Sequence, residues 1–131
     1  MAMLRGSCLC GEVGYEVEDA FAYALNCHCS LCRRATGSAF KPFGGIAVDR
    51  ITLTRGAALL RRFGEGVDHD LSCGRCGSLL YSVVRGGSHA HVTLGTLLDA
   101  PGIRPTAHIF VGSKAPWYEI TDTLPQHETY G

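Results

Sequence analysis

The stretch Cys73-Gly74-Arg75-Cys76-Gly77 decides how this chain is read. A Cys-x-x-Cys turn closed by glycine presents two thiols on one side of a tight loop. A tetrahedral metal site takes its ligands in such pairs. The flanking segments 67–72 and 79–84 are short and rich in apolar residues, so the turn joins two strands. Further out, the same logic recurs. Residues 11–18 alternate, with Val13, Tyr15 and Val17 on one face, and read as a strand. Segments 22–26, 39–48, 51–54, 59–63, 89–97 and 106–111 add more strands, with Gly44-Gly45 expected as a bulge or bend. Ser30–Thr36 reads as a short helix, with Ser30 as its N-cap and Gly37 as its stop. The tail from Pro116 onward is expected to be irregular. The sum is one mostly β domain over residues 1–131, with at most one or two short helices.

Composition agrees with that reading. Seventeen glycines in 131 residues is nearly twice the usual share of about 7% and favours turns over long helices. Twelve basic and twelve acidic residues cancel, which argues against a general nucleic-acid-binding or membrane-binding surface. No stretch approaches the ~18 apolar residues of a membrane span. Residues 1–6 lack the apolar core of a signal peptide. The expected compartment is the reducing cytosol, where cysteines serve more often as ligands or nucleophiles than as disulfides.

Seven cysteines are an odd number, so a full disulfide framework would leave one unpaired. They fall into three groups: Cys8 and Cys10; Cys27, Cys29 and Cys32; Cys73 and Cys76. Cys73 and Cys76 need a second pair, and Cys8 with Cys10 supplies it. Two plus two makes a closed, structural zinc site that ties the N-terminal strand to the central hairpin. Cys27, Cys29 and Cys32 remain, within the run Cys-His-Cys-Ser-Leu-Cys. Three protein ligands with an exchangeable fourth position is the pattern of a catalytic zinc. Cys32 falls in the first turn of the expected helix, where the helix dipole favours a thiolate, and Arg33 and Arg34 add positive charge. The alternatives at this cluster are a second structural site completed by His28, His69 or another side chain, and a redox or iron site.

The stretches Gly6-Ser7-Cys8-Leu9-Cys10-Gly11-Glu12-Val13, Cys27-His28-Cys29-Ser30-Leu31-Cys32-Arg33-Arg34-Ala35-Thr36-Gly37 and Cys73-Gly74-Arg75-Cys76-Gly77-Ser78 carry a resemblance. With the tail Pro116-Trp117-Tyr118-Glu119-Ile120-Thr121-Asp122, the chain resembles the glutathione-dependent formaldehyde-activating enzyme family, which includes centromere protein V-like domains. The resemblance implies a β-tent type fold. It implies a structural zinc on Cys8, Cys10, Cys73 and Cys76, and a catalytic zinc on Cys27, Cys29 and Cys32. It implies a carbon–sulfur lyase that adds glutathione to formaldehyde, giving S-hydroxymethylglutathione. Glutathione has two carboxylates, and Arg33, Arg34 and Lys41 are the candidate cations for them. His28 reads as a spacer between ligands, His89 and His91 as partly exposed strand residues on one face, and Trp117 with Tyr118 as core packing. Two other functions fit the same motifs: a zinc-stabilised interaction module without chemistry, and a zinc lyase or hydrolase acting on another thiol adduct.

Overall fold

The computed structural model describes residues 2–130. Ten short strands, one α-helix and four single-turn 3-10 helices make up the regular structure of these residues; the strands and the α-helix are β1 (Met3–Ser7), β2 (Gly14–Glu18), β3 (Tyr23–Cys27), α1 (Ser30–Thr36), β4 (Lys41–Ala47), β5 (Ile51–Arg55), β6 (Leu60–Phe63), β7 (His69–Cys73), β8 (Leu79–Val84), β9 (His89–Thr93) and β10 (His108–Ile109). They build a three-stranded sheet, β1-β2-β5, and a seven-stranded sheet, β10-β3-β4-β9-β8-β7-β6. Pairing is antiparallel except between β10 and β3, which run parallel. The fold is therefore small and mostly β, as the sequence pattern indicates. No helix among the described residues is long and apolar enough to cross a membrane.

Alternation along the strands separates a core face from a site face. Val13, Tyr15 and Val17 pack from the small sheet against Ile46, Leu80, Tyr81, Val83, Ala90 and Val92 of the large one. The opposite face of the large sheet carries the chemistry. Register aligns Tyr23, Gly45, His91, Ser82 and Asp70 in one row across five strands. Leu25, Phe43 and Thr93 form the next row, and Cys27 pairs with Lys41 beyond it.

Three expectations change in detail. Gly44 and Gly45 form no bulge: β4 keeps its register to β3 and β9 through both. They are small because rings lie over them. A Cβ on Gly45 would stand 2.1 Å from Cζ of Tyr23, and one on Gly44 2.7 Å from the Phe21 ring. The helix N-cap is Cys29, not Ser30; its Sγ accepts from the Cys32 N–H at 3.3 Å. The metal-type loop and the helix start are thus one structure. Gly37 is the C-cap in the left-handed region, as expected. Trp117 is 71% exposed rather than core, while Tyr118 does pack, half-buried, against the rings of His28 and Phe40. The tail crosses back beside β10 through the Pro116–Pro125 stretch and touches it at Gln126.

Candidate functional site

The first cysteine cluster forms where two tight turns meet. Cys8 sits at the end of β1 and Cys73 at the end of β7, both buried. In the second turn the Gly77 N–H donates to the Cys73 carbonyl at 2.8 Å, and Gly77 takes φ 84°, a conformation that suits glycine. The backbone N–H groups of Arg75 and Cys76 aim at Cys73 Sγ, at 3.4 and 3.5 Å. In the first turn the Val13 N–H does the same for Cys8 Sγ at 3.3 Å. The turns are locked to each other by Leu9 N–H on Ser78 Oγ at 2.9 Å and by the Arg75–Glu12 ion pair. Donation from the Ser78 hydroxyl, and from the backbone N–H groups of Ser78 and Cys10, pulls the Cys76 thiol down to about 5.

The ligand atoms of Cys8, Cys10, Cys73 and Cys76 all lie within 4.8 Å of one another. Cys8 and Cys10 sulfurs are 3.6 Å apart, and Cys10 and Cys73 sulfurs 3.8 Å. A tetrahedron with metal–sulfur bonds of about 2.3 Å has sulfur–sulfur edges of about 3.8 Å. The donor set and its spacing therefore fit a soft-ligand metal ion.

Cys27, Cys29 and Cys32 make the second cluster, also within 4.8 Å. Among the described residues no fourth Cys, His, Asp or Glu joins it. Cys27 ends β3, Cys29 caps α1 and Cys32 lies one turn on. Hydrogen bonding from Cys32 is the largest influence on Cys27, and with the Cys29 groups and the Lys41 ammonium it pulls the Cys27 thiol down to about 6. Cys32 moves the opposite way, well above the ordinary thiol range, because the proton it shares with Cys27 is the one it keeps. Three thiolates together thus require a cation between them.

This cluster opens onto a cleft of about 230 Å³ whose lining includes Cys29, Cys32, Lys41, Asp70, Ser82 and His91. Lys41 is 5% exposed, so its charge needs partners. Its Nζ donates to Ser82 Oγ at 3.1 Å, and Ser82 Oγ donates to Asp70 Oδ1 at 2.5 Å. His91 stacks on Phe43 with ring centroids 4.1 Å apart and meets the Tyr23 hydroxyl at 2.7 Å. Burial first, then Lys41, Arg85 and His89, push His91 down to about 4, so it stays neutral near pH 7. Arg34 lines an adjoining cleft with Leu31 and Phe63. Arg33 turns away, its Nε donating to the Ser113 carbonyl at 3.2 Å. His69 is not in either cluster; its Nδ1 meets the Val67 carbonyl at 2.7 Å. His89 Nδ1 meets Ser88.

Sequence reasoning does not reach the buried chain behind the cluster. His28 is fully buried, its Nε2 2.8 Å from His108 Nδ1, and His108 Nε2 lies 2.9 Å from Asp122. Asp122 accepts and is held below the usual carboxylate range by that bond, so His108 Nε2 carries the proton. Burial, then His108, hold His28 below the ordinary imidazole range. A neutral His28 then donates from Nε2 to His108 Nδ1, and its own Nδ1 is a buried acceptor without a partner. The signal available in sequence is only that His28 sits between two ligands; its partners are 80 and 94 positions away along the chain.

The chain is similar to known proteins along most of its length. A curated Halomonas elongata protein, provisionally named a glutathione-dependent formaldehyde-activating enzyme, is 30% identical over 132 aligned positions, covering 90% of this chain and 81% of that one. The crystal structure of a Rhodobacter sphaeroides protein, a structural-genomics target, superposes with a TM-score of 0.63 at 28% identity, over 75% of this chain and 91% of that one. The family described as glutathione-dependent formaldehyde-activating enzyme matches residues 3–113, a span that holds both cysteine clusters and stops before the tail. This chain belongs to the glutathione-dependent formaldehyde-activating enzyme family.

Proposed function

We propose that the protein is a zinc-dependent carbon–sulfur lyase that joins glutathione, or a related thiol, to formaldehyde to give S-hydroxymethylglutathione. The observation that carries this reading is the three-thiol cluster beside a cleft with a buried cation, Lys41. All-sulfur donors at tetrahedral spacing suit zinc, closed at Cys8, Cys10, Cys73 and Cys76 and three-coordinate from protein at Cys27, Cys29 and Cys32. Zinc at the second cluster would supply a positive centre that favours the thiolate form of an entering thiol.

The chain's own residues do the remaining work. In the net reaction the S–H adds across the carbonyl: a sulfur–carbon bond forms, the carbonyl π pair moves to oxygen, and that oxygen takes a proton. Lys41, whose side chain lines the cleft, would stabilise the negative charge that builds on the oxygen. Asp70, through Ser82, balances that ammonium in the resting site. Arg34 offers positive charge to a substrate carboxylate, whereas Arg33 is turned to the Ser113 carbonyl. Neutral His91, backed by Phe43 and Tyr23, walls the cleft. The reading fits the reducing cytosol, where thiols stay free.

The test is glutathione–formaldehyde exchange at equilibrium, followed by NMR magnetisation transfer, with the metal-loaded chain and with Cys29→Ser. The uncatalysed addition is itself quick, so end-point yield is uninformative. Faster exchange with the intact chain and not with the variant supports the reading. Equal rates with both and without protein defeat it, and turn attention to a binding role or another thiol adduct.

A further inference from the structure

The cleft over Cys29 and Cys32 is the waist of a longer groove. Through Val84 and His91 it continues into a pocket of about 580 Å³ lined by Tyr23, Phe43, Asp68, Arg85 and Tyr130, among others. Arg85 opens the turn between β8 and β9, and it adopts the left-handed backbone conformation at φ 55°. A non-glycine residue there stores about 1 kcal/mol or more of strain. Its guanidinium lies 5.1 Å over the Tyr23 ring, and the Tyr23 hydroxyl is fixed by His91. Among the described residues Arg85 forms no ion pair. The pocket's acid, Asp68, accepts from the Gly87 N–H of the same turn at 3.1 Å. The two opposite charges thus share one pocket, both anchored, without meeting each other.

That arrangement is complementary to a zwitterion. We propose that this pocket binds the α-amino-acid head of the thiol substrate, Arg85 taking the α-carboxylate and Asp68 the α-ammonium group. The proposal rests on the thiol reading of the cysteine site and adds to it the two residues, Arg85 and Asp68, that recognise the amino-acid head of the thiol. A simple alkyl thiol would leave both charges unused. Arg34, at the other end of the groove, then faces the far carboxylate.

The experiment avoids both the sulfur and the reaction. Calorimetry would measure binding of γ-glutamyl-α-aminobutyrylglycine, which carries a methyl in place of the thiol, to the metal-loaded full chain. Arg85→Gln and Asp68→Asn are each expected to weaken it by about tenfold or more, the scale of a charge-assisted hydrogen bond. Arg85→Gly should weaken it equally while relieving the backbone strain, so a folding defect cannot explain the loss. Arg104→Gln, away from the groove, serves as the reference and should bind as the wild type does. The N-acetylated tripeptide should bind the wild type as weakly as the parent binds Asp68→Asn. Unchanged affinity in the Arg85 variants, or no binding to the wild type, overturns the subsite. If the tripeptide binds through Arg85 and Asp68 yet exchange is not accelerated, the subsite stands and the lyase reading falls. If exchange is accelerated with the same KM in every variant, the lyase reading stands and the subsite falls.

Discussion

Gly45 has only a hydrogen where Tyr23 needs space. Its neighbour across the β3–β4 pair lays a ring over it, and that ring ends on His91. Gly45→Ala would put a methyl 2.1 Å from Tyr23 Cζ, so the ring must leave His91. The expected cost is about 1–3 kcal/mol, the usual scale of overpacking, read as a lower urea midpoint with unchanged slope. Gly95→Ala is the matched reference: a Cβ there meets nothing within 4 Å, and stability should change by no more than about 0.5 kcal/mol. The same reasoning explains why a bend was the natural expectation for Gly44-Gly45. Glycine in a strand signals either a bulge or a close approach. Only the tertiary structure, which lays the Phe21 and Tyr23 rings over these positions, decides between them.

At the level of elements, the cysteine turns and the helix were legible because they are local. Cys27, Cys29 and Cys32 lie within six consecutive positions, and Ser30–Thr36 is bounded by its own caps. His108, Asp122, Arg85 and His91 were not legible as site residues, because each meets its site neighbours through contacts distant in sequence. β10 shows this most clearly. It has two residues, pairs parallel with β3, and owes its hold partly to the His28–His108–Asp122 chain. His108→Leu keeps most of the volume but leaves the buried His28 Nε2–H without an acceptor. A loss of about 1–3 kcal/mol is expected, with faster amide exchange at residues 107–110 than at β8. Equal protection across both strands would mean the chain of histidines contributes nothing to this edge. Metal removal separates the two cysteine clusters in the same way. Cys73→Ala breaks the joint between the β1 and β7 ends and is expected to lower metal content by one ion per chain. It should also destabilise the fold by about as much as loss of a native disulfide costs a small domain, roughly 2–5 kcal/mol. Cys29→Ala should lose one ion with a smaller effect on unfolding, since its cluster lies beside an open cleft.

For the whole molecule, pH connects the site to stability, and the sign follows from His91. Its imidazole is packed between Phe43 and Tyr23, with Lys41 on β4, Arg85 after β8 and His89 on β9 all adding positive charge nearby. Asp70 on β7 is already engaged through Ser82 with Lys41. The folded chain therefore holds His91 at about 4, against an ordinary value of about 6.5 in the unfolded chain. Above about pH 6.5 both states are neutral and His91 makes stability independent of pH. As pH falls from there towards 4, the unfolded chain takes up a proton that the folded chain refuses, so stability is lost through that window. Asp99 adds a separate, lower window. Hydrogen bonds from Arg5 hold it at about 2, so its contribution is present above the ordinary carboxylate range and fades only as pH drops towards 2. Thiolate ligands also lose metal in acid, in every variant alike. Comparison with His91→Gln removes that common part: urea unfolding of the two proteins should diverge in slope between pH 6.5 and 4, the wild type falling more steeply, and run parallel below 4. Parallel curves across the whole range would place His91 in contact with solvent, and the cleft wall built on Phe43 and Tyr23 would have to be redrawn.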